Sequence, residues 1–384
     1  MLQLATAVRH RAKERLFYLD NLRTFLTALV ICHHVANTYT GTGRWYYMEP
    51  HPSGAVSPLL LTMFLAINQS FFMSLFFLVS AFFTPLSFER KGLALFIRDR
   101  LLRLGLPLLA YFFVLNPSLE YVISRFKGET QAGYFNFMAA DFLRLTGTGP
   151  LWFVLSLLIF AMAYAVIRVA TSASENKQRP RPLPTNMQIL GFILAIGLIT
   201  FLVRIRFSVS EAVFNLQLGY FPLYICMYIF GVWAYRYSWF DSLRRTQVNQ
   251  WFGASIGVIA LIPVIMAMGG AFESGTEVFE GGLTWQAYVY ATLEPVLCVG
   301  ISMKLLLMFK ERGDAENRLT RRMARSAYTA YIIHPFFVVS ATFLLAGVSL
   351  DPLVKFLILS PLAVISCFLV SDAVRRAPLL RRIL

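Results

Sequence analysis

Charged residues are scarce in this chain. Only 14% of its 384 residues are Asp, Glu, Lys or Arg, against about 25% in an ordinary soluble protein, whereas 57% are hydrophobic. So few charges do not cover the surfaces that soluble domains of this total length would expose. The composition therefore predicts an integral membrane protein.

Cysteines are also few, and several catalytic signatures are missing. The four cysteines lie singly inside apolar runs, which argues against a disulfide framework and against a zinc site. The sequence has no phosphate-binding Gly-x-x-x-x-Gly-Lys loop, no Gly-x-Ser-x-Gly elbow, no His-Glu-x-x-His pair and no dinucleotide fingerprint. These absences disfavour kinases, common serine hydrolases, zinc proteases and Rossmann oxidoreductases, and we expect no metal and no tightly bound cofactor.

The chain has a net charge of +15, and most of its Lys and Arg residues fall in short clusters between apolar runs. Ten of these runs have the length of about 20 residues that spans a bilayer: 17–36, 59–82, 101–119, 150–170, 187–205, 219–236, 251–268, 285–308, 326–346 and 353–372. When residues near span ends are counted with the adjoining loop, 26 of the 35 Lys and Arg residues fall on the N-terminal side of these spans and 7 on the other, which leaves Arg23 and Lys304 within spans. The positive-inside rule then predicts cytoplasmic termini, and we expect no nucleic-acid partner.

The ten spans predict an all-α polytopic fold in a single transmembrane domain, 1–384, with no soluble domain after the last span. No small-residue cleavage site follows the basic segment 10–15, so we interpret the first run as a retained helix rather than a signal peptide. A stretch rich in Pro and Ser, 172–185, predicts a cytoplasmic linker.

Two further patterns concern the second half of the chain. In the seventh span, Gly253-x-x-x-Gly257 predicts a close contact between helices. The outer loop 269–284 contains Glu273, Glu277 and Glu280 and no positive charge. A strongly acidic acceptor is therefore not expected to bind at this loop.

Ionisable side chains inside a span are costly and mark candidate functional sites. Arg23 and His34 are eleven residues apart in the first span, which places them about 20° apart around a helix and about 16 Å apart along it. Asp20 lies at the cytoplasmic end of this stripe, whereas His33 points about 80° away from Arg23. The shared face therefore favours His34 over His33 as the functional histidine. A structural interpretation fits the same residues: His34 would hydrogen-bond a neighbouring helix, and Arg23 would extend to the membrane interface.

Three arginines, Arg98, Arg100 and Arg103, follow the second span. Arg100 and Arg103 are three residues apart, so a helix would project both guanidinium groups to one side, which suits a phosphate or pyrophosphate. These arginines also fit a simpler interpretation, in which they only set the orientation of the spans in the membrane.

Two later spans carry ionisable groups beside prolines. His334 follows Tyr331 by three residues and Tyr328 by six, and the proline after it predicts a kink. A structural role, with a tyrosine hydroxyl bonded to a freed carbonyl, fits this cluster equally well. Glu294 is the one acidic residue near the centre of a span, so we expect it to be neutral or paired, with Arg23 or a histidine as its partner.

The order and spacing of these motifs resemble the membrane-bound acyltransferase-3 family over essentially the whole chain. The motifs are Leu19-Asp-Asn-Leu-Arg23 with His34, Phe76-Phe-Leu-Val-Ser-Ala, Arg100-x-x-Arg103, Leu151-Trp-Phe-Val-Leu and Tyr328-x-x-Tyr331-x-x-His334-Pro. Within the family, the Asp-Asn-Leu-Arg opening and the His33-His34 pair are most similar to the glucan biosynthesis protein C branch of succinyltransferases.

The resemblance implies an enzyme of the bacterial inner membrane that transfers an acyl group, acetyl or succinyl, from cytoplasmic acyl-CoA. The implied acceptor is a carbohydrate hydroxyl, such as that of a periplasmic glucan or a surface polysaccharide. By similarity, His34 is the general base, with a covalent acyl-histidine as a variant, and Arg23 and Asp20 complete the catalytic group. The implied donor-binding residues are Arg98, Arg100 and Arg103, and the second-rank candidates are His33, Glu294, Tyr328, Tyr331 and His334.

Aromatic residues in the predicted outer segments allow two interpretations. They are Trp45, Tyr46, Tyr47 and Trp285, and they fit either stacking on sugar rings or the interfacial belt of a membrane protein.

A rival function is a proton-coupled secondary transporter or flippase, with His34, Glu294 and His334 as a proton relay. The absence of an inverted repeat disfavours this rival. A membrane O-acyltransferase of the unrelated Asn and His type is also disfavoured, because no suitable buried pair stands out.

Overall fold

The structure, a computed structural model, describes residues 16–40, 45–49, 56–171, 179–213, 215–271, 275–314, 317–378 and 380. These residues form helices and connecting segments, and within them the only β-type pairing is an isolated bridge between Val213 and Leu216. Helices suit a bilayer because each one satisfies its own backbone hydrogen bonds. The predicted all-α polytopic fold is confirmed. Segment 10–15, Glu273 and part of the linker 172–185 lie outside the described residues.

The helices follow one another in this order: α1 (Phe17–Asn37), α2 (Val56–Arg100), α3 (Leu106–Ala110), α4 (Asn116–Phe126), α5 (Tyr134–Leu145), α6 (Trp152–Ala170), α7 (Asn186–Arg206), α8 (Phe221–Tyr237), α9 (Arg245–Met268), α10 (Glu277–Glu280), α11 (Trp285–Arg312), α12 (Arg318–Leu344) and α13 (Pro352–Val374). Two π-helical turns, Leu101–Gly105 and Tyr111–Leu115, join α2, α3 and α4.

Eight helical stretches of the described chain are long and apolar enough to cross a membrane. They contain nine of the ten predicted spans, because the second and third spans share one continuous stretch, Val56–Phe126. The remaining span, α1, is not among the eight, since Asp20, Arg23 and two histidines lower its hydropathy. Despite its polar residues, α1 lies well inside the protein.

The segment between the second and third predicted spans is helical rather than a loop. Its one break is at Gly92, whose φ of 69° lies in the left-handed region that favours glycine. Arg98 and Arg100 therefore lie on the last turns of α2, and Arg103 on the π-helical turn that follows. An apolar pattern detects spans but not helix that continues past them, so the sequence alone does not show the helical backbone on either side of Gly92.

Helix α1 lies at the centre of the bundle, packed against α2, α11, α12 and α13. One face contributes Leu19, Leu22 and Leu26 to the main hydrophobic core, and Ile31 and Val35 join a second cluster with α12 and α13. This position explains how α1 accommodates charged side chains, since they face protein instead of lipid tails.

Helices α9 and α11 approach each other closely at Gly300. A side chain on Gly300 would overlap the carbonyl oxygen of Trp251 and the hydroxyl of Ser255, both on α9. In contrast, a Cβ atom on Gly253 or Gly257 would meet no described atom within 4 Å. The close contact predicted at these two glycines was wrong, because they face away from α11.

Candidate active site

His34 is one of three nearly parallel aromatic rings at the end of α1. Its ring centroid lies 4.0 Å from that of Trp45 and 5.1 Å from that of His334, with interplanar angles of 12° and 15°. Trp45 and His334 are themselves 6.3 Å apart, so the rings are offset rather than stacked in a column. The fold thus brings together α1, α12 and the segment after α1.

The two nitrogens of His34 have different surroundings. Nδ1 is buried and has no hydrogen-bond partner among the described residues. The side chain lines the cavity described below, so a molecule bound there lies beside the imidazole. A neutral imidazole with its lone pair on Nε2 is the form that accepts a proton.

His334 is fully buried, and a backbone contact fixes its tautomer. Its Nδ1 lies 2.6 Å from the carbonyl oxygen of Tyr331. Because a carbonyl only accepts, Nδ1 carries the hydrogen, and in the neutral ring Nε2 carries the lone pair. The hydroxyl of Tyr331 donates to the carbonyl of Pro150. Of the second-rank candidates, His334 therefore lies beside His34, and the ring of Tyr331 lies 5.7 Å from that of His334.

His33 is close to His34 but has another environment. It is 7% exposed, stacks on Phe72 of α2 at 4.8 Å, and meets the ring of His34 edge-on at 5.5 Å. Both histidines contribute to the cavity wall. His34 contacts α12 and His33 contacts α2, so the two point in different directions, as the helical spacing predicts.

A cavity of about 1030 Å³ lies beside these histidines. Its wall includes His34, Trp45, Gln217, Tyr290 and Glu294, and it extends to residues before α8 and to α10. These segments lie where α1, α7 and α9 end, which is the predicted outer side. The volume is large enough for several sugar units or for a drug-sized ligand, whose sites occupy about 300–1,000 Å³.

Contacts on both sides of Trp45 hold its segment against the bundle. The hydroxyl of Tyr46 donates to the side-chain carbonyl of Asn116, and burial raises the pKa of Tyr46 above its ordinary value. Glu49 forms an ion pair with Lys355 of α13, whose side chain is almost fully buried. Trp45 is therefore fixed by the fold and not merely part of an interfacial belt.

The other aromatics of the outer segments divide between packing and exposure. The ring of Tyr47 packs against Phe126 and Phe343, and Trp285 is about half exposed at the start of α11. Only Trp45 and Tyr46 of the four line the cavity.

The arginine pair lies at the opposite end of the bundle. Arg100 projects its guanidinium over Phe96 at 5.0 Å, and its Nε is buried with no hydrogen-bond partner among the described residues. Arg103 is 60% exposed and contacts Asp99 at 3.2 Å. The hydroxyl of Tyr328 donates to the carbonyl of Arg103 at 2.7 Å, so Tyr328 joins this region and not the histidine cluster.

Arg98, the third predicted donor-binding arginine, is exposed on the last turn of α2. It belongs to the same helical segment as Arg100, two residues away.

Arg23 and Asp20 form an ion pair near the start of α1. The guanidinium of Arg23 lies 5.4 Å from the ring of Phe83, and the side chain is 40% exposed. Eleven helical residues separate Arg23 from His34, a rise of about 16 Å, so the two groups lie at different ends of α1 and have different partners.

Glu294 pairs with Arg204, and the expected pairing with Arg23 or a histidine was wrong. The Glu294 carboxylate is 2.6 Å from Nη2 of Arg204, and both side chains are almost completely buried. The packing of α7 on α11 brings Arg204 to this carboxylate. The sequence analysis did not single out Arg204, which stands at the end of the predicted span 187–205, although its position inside an apolar run was an available signal.

Comparisons with known proteins agree with the motifs. A family profile described as "Acyltransferase domain" matches residues 16–372. The chain is 23% identical over 242 residues to glucans biosynthesis protein C of Shigella dysenteriae serotype 1, covering 61% of each protein. It is 27% identical over 235 residues to the protein of that name from Salmonella schwarzengrund, covering 58% of each. The alignments thus span about three-fifths of these relatives. No solved structure matches the chain.

Proposed function

Since the chain belongs to the acyltransferase family that matches it over residues 16–372, we propose that it moves an acyl group, acetyl or succinyl, from acyl-CoA to a carbohydrate hydroxyl. The observation that carries this proposal is the position of His34, which lies at the wall of a cavity of about 1030 Å³. The proposed location is the bacterial inner membrane, with both termini in the cytoplasm.

His34 is the general base of this reaction. Its Nε2 takes the proton of the acceptor hydroxyl as the hydroxyl oxygen attacks the thioester carbonyl. The bond between carbon and sulfur then breaks, and the departing CoA sulfur receives the proton from the imidazole. Atoms and charge balance without any further reactant, and the ester is left on the acceptor.

Arg23 acts on the donor side. It is about 16 Å along α1 from His34, too far to contact an oxyanion formed there. Its half-exposed guanidinium suits the anionic groups of acyl-CoA, with Asp20 holding it in place.

Arg100 and Arg103 supply the phosphate contacts of the donor, with Arg98 beside them. Tyr328 connects this region to α12 through its hydrogen bond to the Arg103 carbonyl. From Tyr328 to His334, α12 rises about 9 Å. An extended pantetheine arm along α12 therefore connects the phosphates with the thioester at His34.

The acceptor is a neutral glucan-type carbohydrate that enters the cavity from the other side. Two relatives carry the name glucans biosynthesis protein C. The cavity wall includes Glu120, Glu277 and Glu280 and the cation Arg144, an excess of negative charge that disfavours an anionic acceptor.

The proposal is tested by free CoA release from acetyl-CoA and succinyl-CoA, with purified protein in detergent and mixed glucans as acceptor. We expect His34→Ala to lower release by at least about 100-fold, which is the usual effect of losing a general base. Undiminished release by this variant would remove His34 from the mechanism. No release by the wild type, together with proton-coupled uptake in liposomes, would favour a transporter instead.

A further inference from the structure

Two donors of Arg204 are hydrogen-bonded around its ion pair with Glu294, whereas its Nη1 is buried with no hydrogen-bond partner among the described residues. Arg204 donates from Nε to the carbonyl of Gly219 at 3.0 Å and from Nη2 to Glu294 at 2.6 Å. Its guanidinium also lies over the rings of Tyr220 and Tyr290, at 4.9 and 4.8 Å. These contacts fix the position of the Glu294 carboxylate.

The Glu294 carboxylate can accept a further hydrogen bond. Glu294 is 1% exposed, and its Oε1 has no hydrogen-bond partner among the described residues. Buried polar atoms in proteins are nearly always hydrogen-bonded, so an orphaned carboxylate oxygen indicates a group supplied from outside. Glu294 belongs to the cavity wall, whereas Arg204 does not. A molecule bound in the cavity is therefore the source of the hydrogen-bond donor for Oε1.

Neighbouring side chains add hydrogen-bonding groups at the same wall. The hydroxyls of Tyr220 and Tyr290 lie 3.5 Å apart, at the limit of a hydrogen bond. The amide of Gln217 uses Nε2 to donate to the carbonyl of Val209 at 2.7 Å, which leaves its Oε1 as an acceptor. We call Gln217, Tyr220, Tyr290 and Glu294 the distal cluster.

The charge of the distal cluster favours a neutral ligand. Arg204 compensates the Glu294 carboxylate, so the pair offers no net charge to attract a cation. No lysine or arginine contributes to the cluster, so a phosphate or carboxylate would find no direct cationic partner in it. Phenol hydroxyls, an amide and a carboxylate oxygen are the groups that hydrogen-bond a polyhydroxylated molecule.

We propose that the distal cluster is a binding subsite for sugar units of the acceptor other than the unit that reacts at His34. Glu294 Oε1 accepts a hydrogen bond from a sugar hydroxyl, and Arg204 is a positioning residue that holds Glu294 in place. One cavity contains both the cluster and His34, so an acceptor of several units contacts both at once. This inference rests on the proposed acyl transfer to a carbohydrate.

The test is the steady-state kinetics of Glu294→Gln with gluco-oligosaccharides of two to six units, prepared with four different linkages. The glutamine carbonyl still accepts from Arg204, but an NH₂ group replaces the oxygen that has no partner. We expect the KM for the longer oligosaccharides to rise about tenfold, the KM for the disaccharide to rise less, and the KM for acyl-CoA to stay within about twofold.

Glu311→Gln is the matched control. Glu311 also pairs with an arginine, Arg245 at 2.7 Å, but it lies at the far end of α11 and outside the cavity. This variant should leave every KM unchanged. If Glu294→Gln fails to fold, Tyr290→Phe removes one hydroxyl of the cluster and keeps the ring that contacts Arg204, and it should raise the KM in the same direction.

The outcomes separate this inference from the proposed function. Folded variants with unchanged acceptor KM values, or with equal changes for acceptor and donor, would overturn the subsite. Wild-type protein that acylates none of the oligosaccharides would overturn the proposed function instead, because no variant is involved in that result.

Discussion

The imidazole of His34 differs from that of its neighbour His33 in what surrounds it. Both line the cavity, but His34 meets Trp45 and His334, whereas His33 stacks on Phe72. At the scale of single residues, sequence reasoning found His34, His334 and Glu294 because each is ionisable within an apolar run. It did not anticipate the contacts of Arg204 and Trp45, because residues at span ends or in connecting segments fit an interfacial role equally well.

The two histidines should respond differently to substitution. His34→Asn should abolish acyl transfer because no proton acceptor remains, while His33→Asn should keep most of the activity and lose some stability. Paired measurements of CoA release and thermal unfolding check this. Equal loss of activity in two equally stable variants would refute the distinction.

The arginine pair should control donor affinity. In Arg100→Ala with Arg103→Ala, we expect the KM for acyl-CoA to rise at least about tenfold, since charge-assisted contacts to phosphate contribute about 1.5–3 kcal/mol each. The KM for the acceptor should change little. Initial rates at varied donor and acceptor concentrations measure both constants, and an effect confined to the acceptor would exclude the donor role.

At the scale of helices, the order of the spans follows from hydropathy alone, because a bilayer requires long apolar helices. Three features do not follow from it. Helical backbone continues past the second predicted span, with a break at Gly92, as far as Arg100. Helix α1 is central although it is the least apolar span, and α9 contacts α11 through Gly300 instead of Gly257. Each depends on which helix faces which, and hydropathy along one chain does not specify that.

The glycine contact gives a prediction with an internal control. Gly300→Ala should lower the free energy of unfolding by about 1–3 kcal/mol, because the added Cβ overlaps the Trp251 carbonyl and α9 must shift. Gly257→Ala should be neutral or stabilising, since its Cβ meets nothing and alanine favours a helix by about 1 kcal/mol. Unfolding in denaturant, monitored by circular dichroism, compares them. The reverse order would contradict the assigned helix faces.

The attachment of the Trp45 segment to α13 is testable in a double-mutant cycle. Lys355→Met should destabilise the protein by about 3 kcal/mol, because Glu49 is left largely buried without its partner. Adding Glu49→Gln should restore much of that stability, since no uncompensated charge remains. Thermal unfolding of the two single variants and the double variant measures the coupling. Additive effects would show that the pair does not hold the segment.

At the scale of the whole molecule, two regions of opposite character lie at the two ends of one bundle. Arginines occupy the predicted cytoplasmic end, and a cavity with acidic residues and aromatic rings occupies the other. The sequence predicts the charge asymmetry, since Lys and Arg can be counted along the chain. It does not predict the cavity, whose wall combines residues from α1, α2, α11 and α12 that only packing brings together.

This arrangement leads to the central claim, that a donor from the cytoplasmic side and an acceptor from the opposite side react at His34. The most direct test uses inside-out membrane vesicles with radiolabelled acyl-CoA outside and gluco-oligosaccharides sealed inside. We expect labelled oligosaccharide in the lumen with wild-type protein and none with His34→Ala. Labelled product that forms only when donor and acceptor share one compartment would contradict it.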